Sequence, residues 1–219
     1  MYRSDLSGSQ ERLLDGSTEK SGITQLRAGG KGAAFVKLVD GKSSDTKLAY
    51  MDSDGKVEQF HDQASSQFHP LPAGDALYYA HVSCRLICNP IIQDVWRRNV
   101  KTGQAEQLTM LNATTYLHSV TQDGRLGAIS SNARGYYHIA VVDLYSGDLV
   151  WLTNGQVTDS NPTIAGDDRV YFIRRLKEGS FLYSAPLVRD EASKENVMEP
   201  IRHQLPKGIT KVRYMEFTY

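Results

Sequence analysis

Cysteine is scarce in this chain, net charge is absent, and no long apolar run occurs. Each absence excludes something. Twenty-five basic and 25 acidic side chains cancel over 219 residues. A nucleic-acid binder normally carries a basic face or a high isoelectric point, so that class is set aside. No stretch of 18 apolar residues is present, so nothing in the chain reads as a membrane span. The N-terminus lacks a charged-then-apolar leader, so no signal peptide is expected in it. The chain is expected to start in the middle of a repeat, as a piece of a longer unit or after removal of a leader. The two cysteines, Cys84 and Cys88, stand in "HVSCRLICNP". They supply two metal ligands at most, and no further Cys or Cys/His pair completes a zinc set. A disulfide in an oxidising compartment such as a periplasm is the preferred reading, and two free thiols are the alternative.

What is present is an ordinary globular balance, 40% hydrophobic and 23% charged, and a repeat. A turn glycine flanked by strand-like runs falls at Gly8, Gly55, Gly103 and Gly147, with gaps of 47, 48 and 44 residues. A second marker is a polar turn followed by an apolar strand. It falls at Lys31, Asp75, Gly124 and Asp168, with gaps of 44, 49 and 44. Two markers that drift together define one repeating unit. Within Thr114–Thr153, the runs "TYLHSV", "RLGAISSN", "YYHIAVVDL" and "DLVWLT" are separated by Asp123-Gly124, Arg134-Gly135 and Ser146-Gly147. Glycine takes positive φ cheaply, so these are hairpin turns between four strands. No helical stripe of 12 residues exists.

Four antiparallel strands every 40–50 residues is the unit of a β-propeller, so the fold class is all-β. A single blade cannot bury both faces, whereas a ring of blades does. The expected units are 19–62, 63–111, 112–155 and 156–207. A fifth blade joins 1–18 to 208–219, giving one domain over 1–219. Six blades, or a fragment of a larger propeller, is the alternative.

The stretch "VVDLYSGDLVWLTNGQVTDSNPTIAGDDRVYFI" resembles the repeat of TolB-type propellers through Asp143, Gly147, Leu152, Thr153, Pro162, Asp167, Val170 and Phe172. Gly103, Leu108 and Thr109 match in the preceding copy. The resemblance implies a propeller in a bacterial envelope or secreted context, used for binding or scaffolding. It does not imply an enzyme.

Motifs for chemistry are missing. There is no G-x-S-x-G elbow, no phosphate loop and no H-E-x-x-H. The expectation is therefore no catalytic residue, no cofactor and no metal. The candidate ligand-binding residues are His69, His118 and Asn161, which take the same place in successive repeats, on the strand that lines the channel. Leu26 stands nearby in the first repeat. The bland alternative is that these residues solvate the channel or bond backbone between blades. Oligogalacturonate lyases with propeller folds use histidines at similar positions for a divalent metal, and that resemblance implies a lyase only if a third ligand joins them.

The remaining histidines, His61, His81, His138 and His203, share no position and read as surface or strand residues. Tyrosine pairs in "LYYAH" and "YYHIA" are expected to send one ring inward and one outward, and most tyrosines to pack between blades. Trp96 and Trp151 are expected to pack between blades. The hairpin with both cysteines is long enough to carry a partner contact, and Val188–Pro200 reads as a solvated excursion.

The expected function is a non-enzymatic binding or scaffold propeller, monomeric, periplasmic or extracytoplasmic. It would offer a rigid face to a protein partner or small ligand, alone or as the sensor part of a ToxR-like or CadC-like membrane regulator. The alternatives are a metal-dependent lyase, or the propeller of a prolyl-oligopeptidase-like hydrolase.

Overall fold

The computed structural model describes residues 2–4, 10–12, 23–29, 31–39, 42–83, 91–166, 168–187 and 199–208. Among them there is no helix. The first blade comprises β3 (Ile23–Gly29), β4 (Gly32–Val39), β5 (Lys42–Asp52) and β6 (Val57–Gln59). The second comprises β7 (Gln67–Ala73), β8 (Ala76–Val82), β9 (Gln93–Asn99) and β10 (Ala105–Gln107). The third comprises β11 (Thr115–Val120), β12 (Leu126–Arg134), β13 (Tyr136–Asp143) and β14 (Leu149–Trp151). The fourth comprises β15 (Thr158–Ala165), β16 (Arg169–Leu176), β17 (Gly179–Pro186) and β18 (Ile201–Arg202). Each is a four-stranded antiparallel meander in chain order, and β1 (Tyr2–Ser4) pairs with β2 (Gln10–Arg12) as a separate hairpin. The expected all-β propeller blades are thus found. Cys84, Cys88, Asp167 and the segment 209–219 lie outside the described residues.

The repeat is written into the turns. Asp52 Oδ1 accepts from the backbone N–H of Asp54 and Lys56. Asn99 Oδ1 accepts from Lys101 and Thr102, and Asp143 Oδ1 from Tyr145 and Ser146. A short acceptor side chain thus closes the same turn three times. The glycines Gly55, Gly103 and Gly147 follow at φ of 83, 73 and 80°, a region that favours residues without Cβ.

Both faces of each central strand are buried, because alternating side chains enter different layers between blades. Ala34, Val36, Leu48 and Tyr50 of the first blade meet Leu77 and Tyr79 of the second. Tyr78 and Val95 of the second meet Ile129, Ala140 and Val142 of the third. Ala128, Ile139 and Val141 of the third meet Val170, Phe172 and Ala185 of the fourth. Phe35 and Phe172 are fully buried, and each contributes roughly 1.5–3 kcal/mol through removal from water.

Tyr78 and Tyr79 are both buried. Their rings do point to opposite faces, but neighbouring blades cover both. Trp151 is buried in the layer between the second and third blades, and Trp96 packs against the layer between the first and second.

Candidate ligand site on the inner wall

The first strands of the blades touch in sequence, β3 against β7, β7 against β11, and β11 against β15. They form a continuous inner wall. Every one of them is bulged. Register breaks between Thr24 and Arg27, Phe68 and Leu71, Leu117 and Ser119, and Ser160 and Thr163. A bulge inserts unpaired backbone and re-aims a side chain. Gln25, His69 and Asn161 sit at the breaks with φ of 52, 51 and 51°. Three non-glycine residues in the left-handed region at one repeat position is a strained feature, and such strain concentrates at functional sites. His118 is the extra residue of a smaller bulge in β11.

His69, His118 and Asn161 therefore occupy equivalent positions, as their spacing suggests. The first-blade counterpart is Gln25, one residue before Leu26, because two residues of the bulge oppose a single partner on β4. Gln25 reaches across to the second blade, where its Oε1 accepts the His69 backbone N–H at 2.7 Å. His69 and His118 come together around Tyr116. The His69 and Tyr116 rings meet edge-on at 4.7 Å, and Tyr116 and His118 lie 6.2 Å apart. His118 Nε2 shares a hydrogen bond of 2.8 Å with Ser130 Oγ.

His69 is exposed by surface area, yet the protein around it desolvates the ring enough to lower its pKa, and the nearby Arg27 lowers it further. His118 is half-buried by surface exposure, yet enclosed by enough protein to be desolvated. Burial, with His69 and Arg27 adding to it, depresses its pKa to about 3. Both imidazoles are neutral at pH 7, each able to donate and accept one hydrogen bond. Asn161 takes the same bulge position on β15 and makes contacts of its own. Among the described residues, no group of three His, Cys, Asp or Glu side chains is placed to hold a metal ion.

Sequence reasoning missed a second polar cluster. His138, expected at a surface or strand position, is only 1% exposed. It lies between the third and fourth blades, with Nδ1 3.9 Å from Oδ2 of the wholly buried Asp159. Asp159 is held by Arg174. No local pattern joins His138, Asp159 and Arg174, which stand on three strands of two blades.

No protein-family model and no curated protein matches the chain. Solved structures do match. TolB from Acinetobacter baumannii is similar at 16% identity and TM-score 0.61, over 85% of this chain and 46% of that one. The propeller domain of the Trilobed protease from Pyrococcus furiosus, described as having an open velcro topology, gives 14% and 0.62 over 86% and 62%. Pyrococcus horikoshii acylaminoacyl peptidase gives 17% and 0.63 over 84% and 33%. The chain has the fold of a TolB-like β-propeller. It spans about half the length of that TolB and a third of that peptidase.

Proposed function

We propose that this propeller is a non-enzymatic binding module whose inner wall holds a ligand or a segment of a partner protein. The carrying observation is the strained bulge repeated at Gln25, His69 and Asn161, with His118 as its counterpart in the third blade. Backbone strain of this kind costs on the order of 1–3 kcal/mol per residue. Spacing side chains to solvate a wall would not require it, whereas fixing donors and acceptors in one direction does. Two neutral imidazoles, an amide at Asn161 and the Tyr116 ring suit a polar, hydrogen-bonding occupant. The setting is extracytoplasmic, as a free module or as the sensor part of a membrane regulator.

The test is affinity capture from fractionated source cells with wild type and a His69→Ala/His118→Ala variant of equal stability. The reading expects a species from the envelope fraction that wild type retains and the variant loses. Equal retention by both removes the inner wall from the function.

The fold likeness to peptidase propellers supports a second reading, in which this domain guards a catalytic domain elsewhere in a longer polypeptide. Immunoblotting the native protein separates the two. A soluble band several times larger than 24.4 kDa favours the peptidase arrangement, and a larger band in the membrane favours the sensor.

A further inference from the structure

A groove of about 760 Å³ opens between the second and third blades, on the side of the turns that join β7 to β8 and β9 to β10. Its volume lies in the range of small-molecule sites. Tyr78 and Arg97 form part of its lining, with Gln104 on one rim and Gln122 and Tyr145 contributed by the third blade.

Tyr145 is the unusual member. The turn acceptors Asp52, Asn99 and Asp143 align three blades, and the residue two positions on is Asp54, Lys101 and Tyr145 respectively. Two blades place a charge there, as a solvated turn should. The third places an aromatic ring that is 71% exposed. Its backbone is pinned on both sides. Asp143 Oδ1 accepts its N–H at 2.9 Å, and the carbonyl of the preceding, fully buried Leu144 accepts from Arg97 Nη1 at 2.7 Å. The ring is thus held at the groove by a rigid backbone, with the Arg97 guanidinium 5.8 Å over one face and most of the residue exposed, and such preorganisation lowers the entropy lost on binding.

The charged groups in the groove are already engaged, two carboxylates by cations and one by hydrogen bonds. Asp75 meets Lys101 at 2.7 Å and Lys31 at 3.8 Å. Glu106 is paired with Arg97. Asp123 Oδ1 accepts from Thr121 Oγ1 and from the Arg125 backbone N–H. An anionic or cationic ligand would have to displace these pairs. The side-chain amides of Gln104 and Gln122, by contrast, are exposed and have no partner among the described residues. Each offers two donors and an acceptor in one plane.

An exposed aromatic face beside unused planar amides, with the charged side chains already paired or hydrogen-bonded, matches a ligand that is neutral, rich in hydroxyls and flat on one apolar side. We propose that this groove binds a neutral oligosaccharide, with one sugar ring stacked on Tyr145 and its hydroxyls bonded to Gln104 and Gln122. The groove is distinct from the inner wall, and the proposal stands without it.

Calorimetric titration of the full chain with cellotetraose, maltotetraose and N-acetylchitotetraose tests it. The expected result is saturation by at least one of them. Tyr145→Ala should weaken that binding about tenfold or more, and Gln104→Ala should weaken it several-fold. Tyr145 is a surface residue, so an unchanged melting temperature verifies that the variant is folded. Failure of all three to saturate at about 10 mM overturns the proposal. Undiminished binding by Tyr145→Ala overturns it too, as does tighter binding of trigalacturonate, which would assign the groove to an acidic ligand.

Discussion

Asp159 holds Arg174 through two parallel hydrogen bonds, Nε to Oδ1 at 2.8 Å and Nη2 to Oδ2 at 2.9 Å. The carboxylate has no solvent exposure and the Arg174 side chain only 13%. The guanidinium also lies 5.0 Å from the Tyr183 ring. A buried pair of this kind is costly to break from one side, because the remaining charge stays desolvated. Asp159→Ala should therefore destabilise the domain by about 3–5 kcal/mol. The pair Asp159→Leu with Arg174→Met should recover much of that loss. Urea unfolding of the three variants measures both. A double variant no more stable than Asp159→Ala would contradict this account.

The contrast between this pair and the inner wall shows how much the sequence reveals. The turn glycines and the apolar runs repeat at a fixed period, and a period survives any uncertainty about where a strand ends. That is why blades were legible, and why His69, His118 and Asn161 could be aligned. Gln25 was displaced by one position because a bulge breaks the two-residue alternation from which strand faces are read. Tyr116 and Arg27 were overlooked because each lies beside the aligned position and carries no repeat signal. Asp159, Arg174 and His138 were illegible for a different reason. Asp159 and Arg174 face each other across β15 and β16, His138 joins them only when blades stack, and nothing local in "VTDSNP", "FIRRL" or "YYHIA" marks the cluster.

Acid should weaken the fold through its histidines. His118 has a folded-state pKa of about 3, below its ordinary value of 6.5. The unfolded chain therefore binds more protons between those values, and stability is full above about pH 6.5 and falls as pH drops toward 3. Burial lowers His69, His81 and His138 in the same direction. Asp94 acts oppositely, because burial raises its pKa and its protonated form is favoured in the folded state. Its effect is felt above its ordinary value of 3.8 and opposes the histidines only in the lower part of the window. The midpoint of urea unfolding should decline from pH 7 to pH 4, and His118→Gln should flatten that decline. A slope unchanged by His118→Gln would show that His118 titrates normally.

Two glycines in equivalent turns should respond unequally to the same substitution. Gly55 has φ of 83° and open space where a Cβ would lie. Gly147 has φ of 80°, but its Cβ would stand 3.0 Å from the Leu108 carbonyl oxygen of the preceding blade. Gly55→Ala incurs only the left-handed backbone penalty, about 1 kcal/mol. Gly147→Ala adds a clash with backbone across a blade interface and should cost about 2–3 kcal/mol. Thermal unfolding of the two variants reads the difference. Equal losses would mean that the interface yields at no cost.

Arg98 and Asp62 form an ion pair in which only one partner is deeply placed. Arg98 has 2% of its side chain exposed, whereas Asp62 has 56%. Nη2 reaches both carboxylate oxygens, at 2.7 and 2.8 Å, and Nη1 donates to the Gly103 carbonyl at 2.6 Å. The guanidinium lies 4.5 Å from the Phe60 ring, so the residue ties the second blade to the strap leaving the first. Its Nε is buried without a partner among the described residues, so the site is not optimised for the cation. Removing the arginine leaves a carboxylate that water can solvate. Removing the aspartate leaves a buried cation with the Gly103 carbonyl, a long 3.5 Å contact to Gln63 Oε1 and a ring face. Asp62→Ala should therefore cost more than Arg98→Met, about 3 kcal/mol against about 1 to 2. Exposed pairs usually show no such order, because both partners are solvated when alone. Denaturant unfolding decides it, and an Arg98→Met loss equal to or larger than that of Asp62→Ala would mean that the pair itself, rather than desolvation of one partner, sets the energy of this joint.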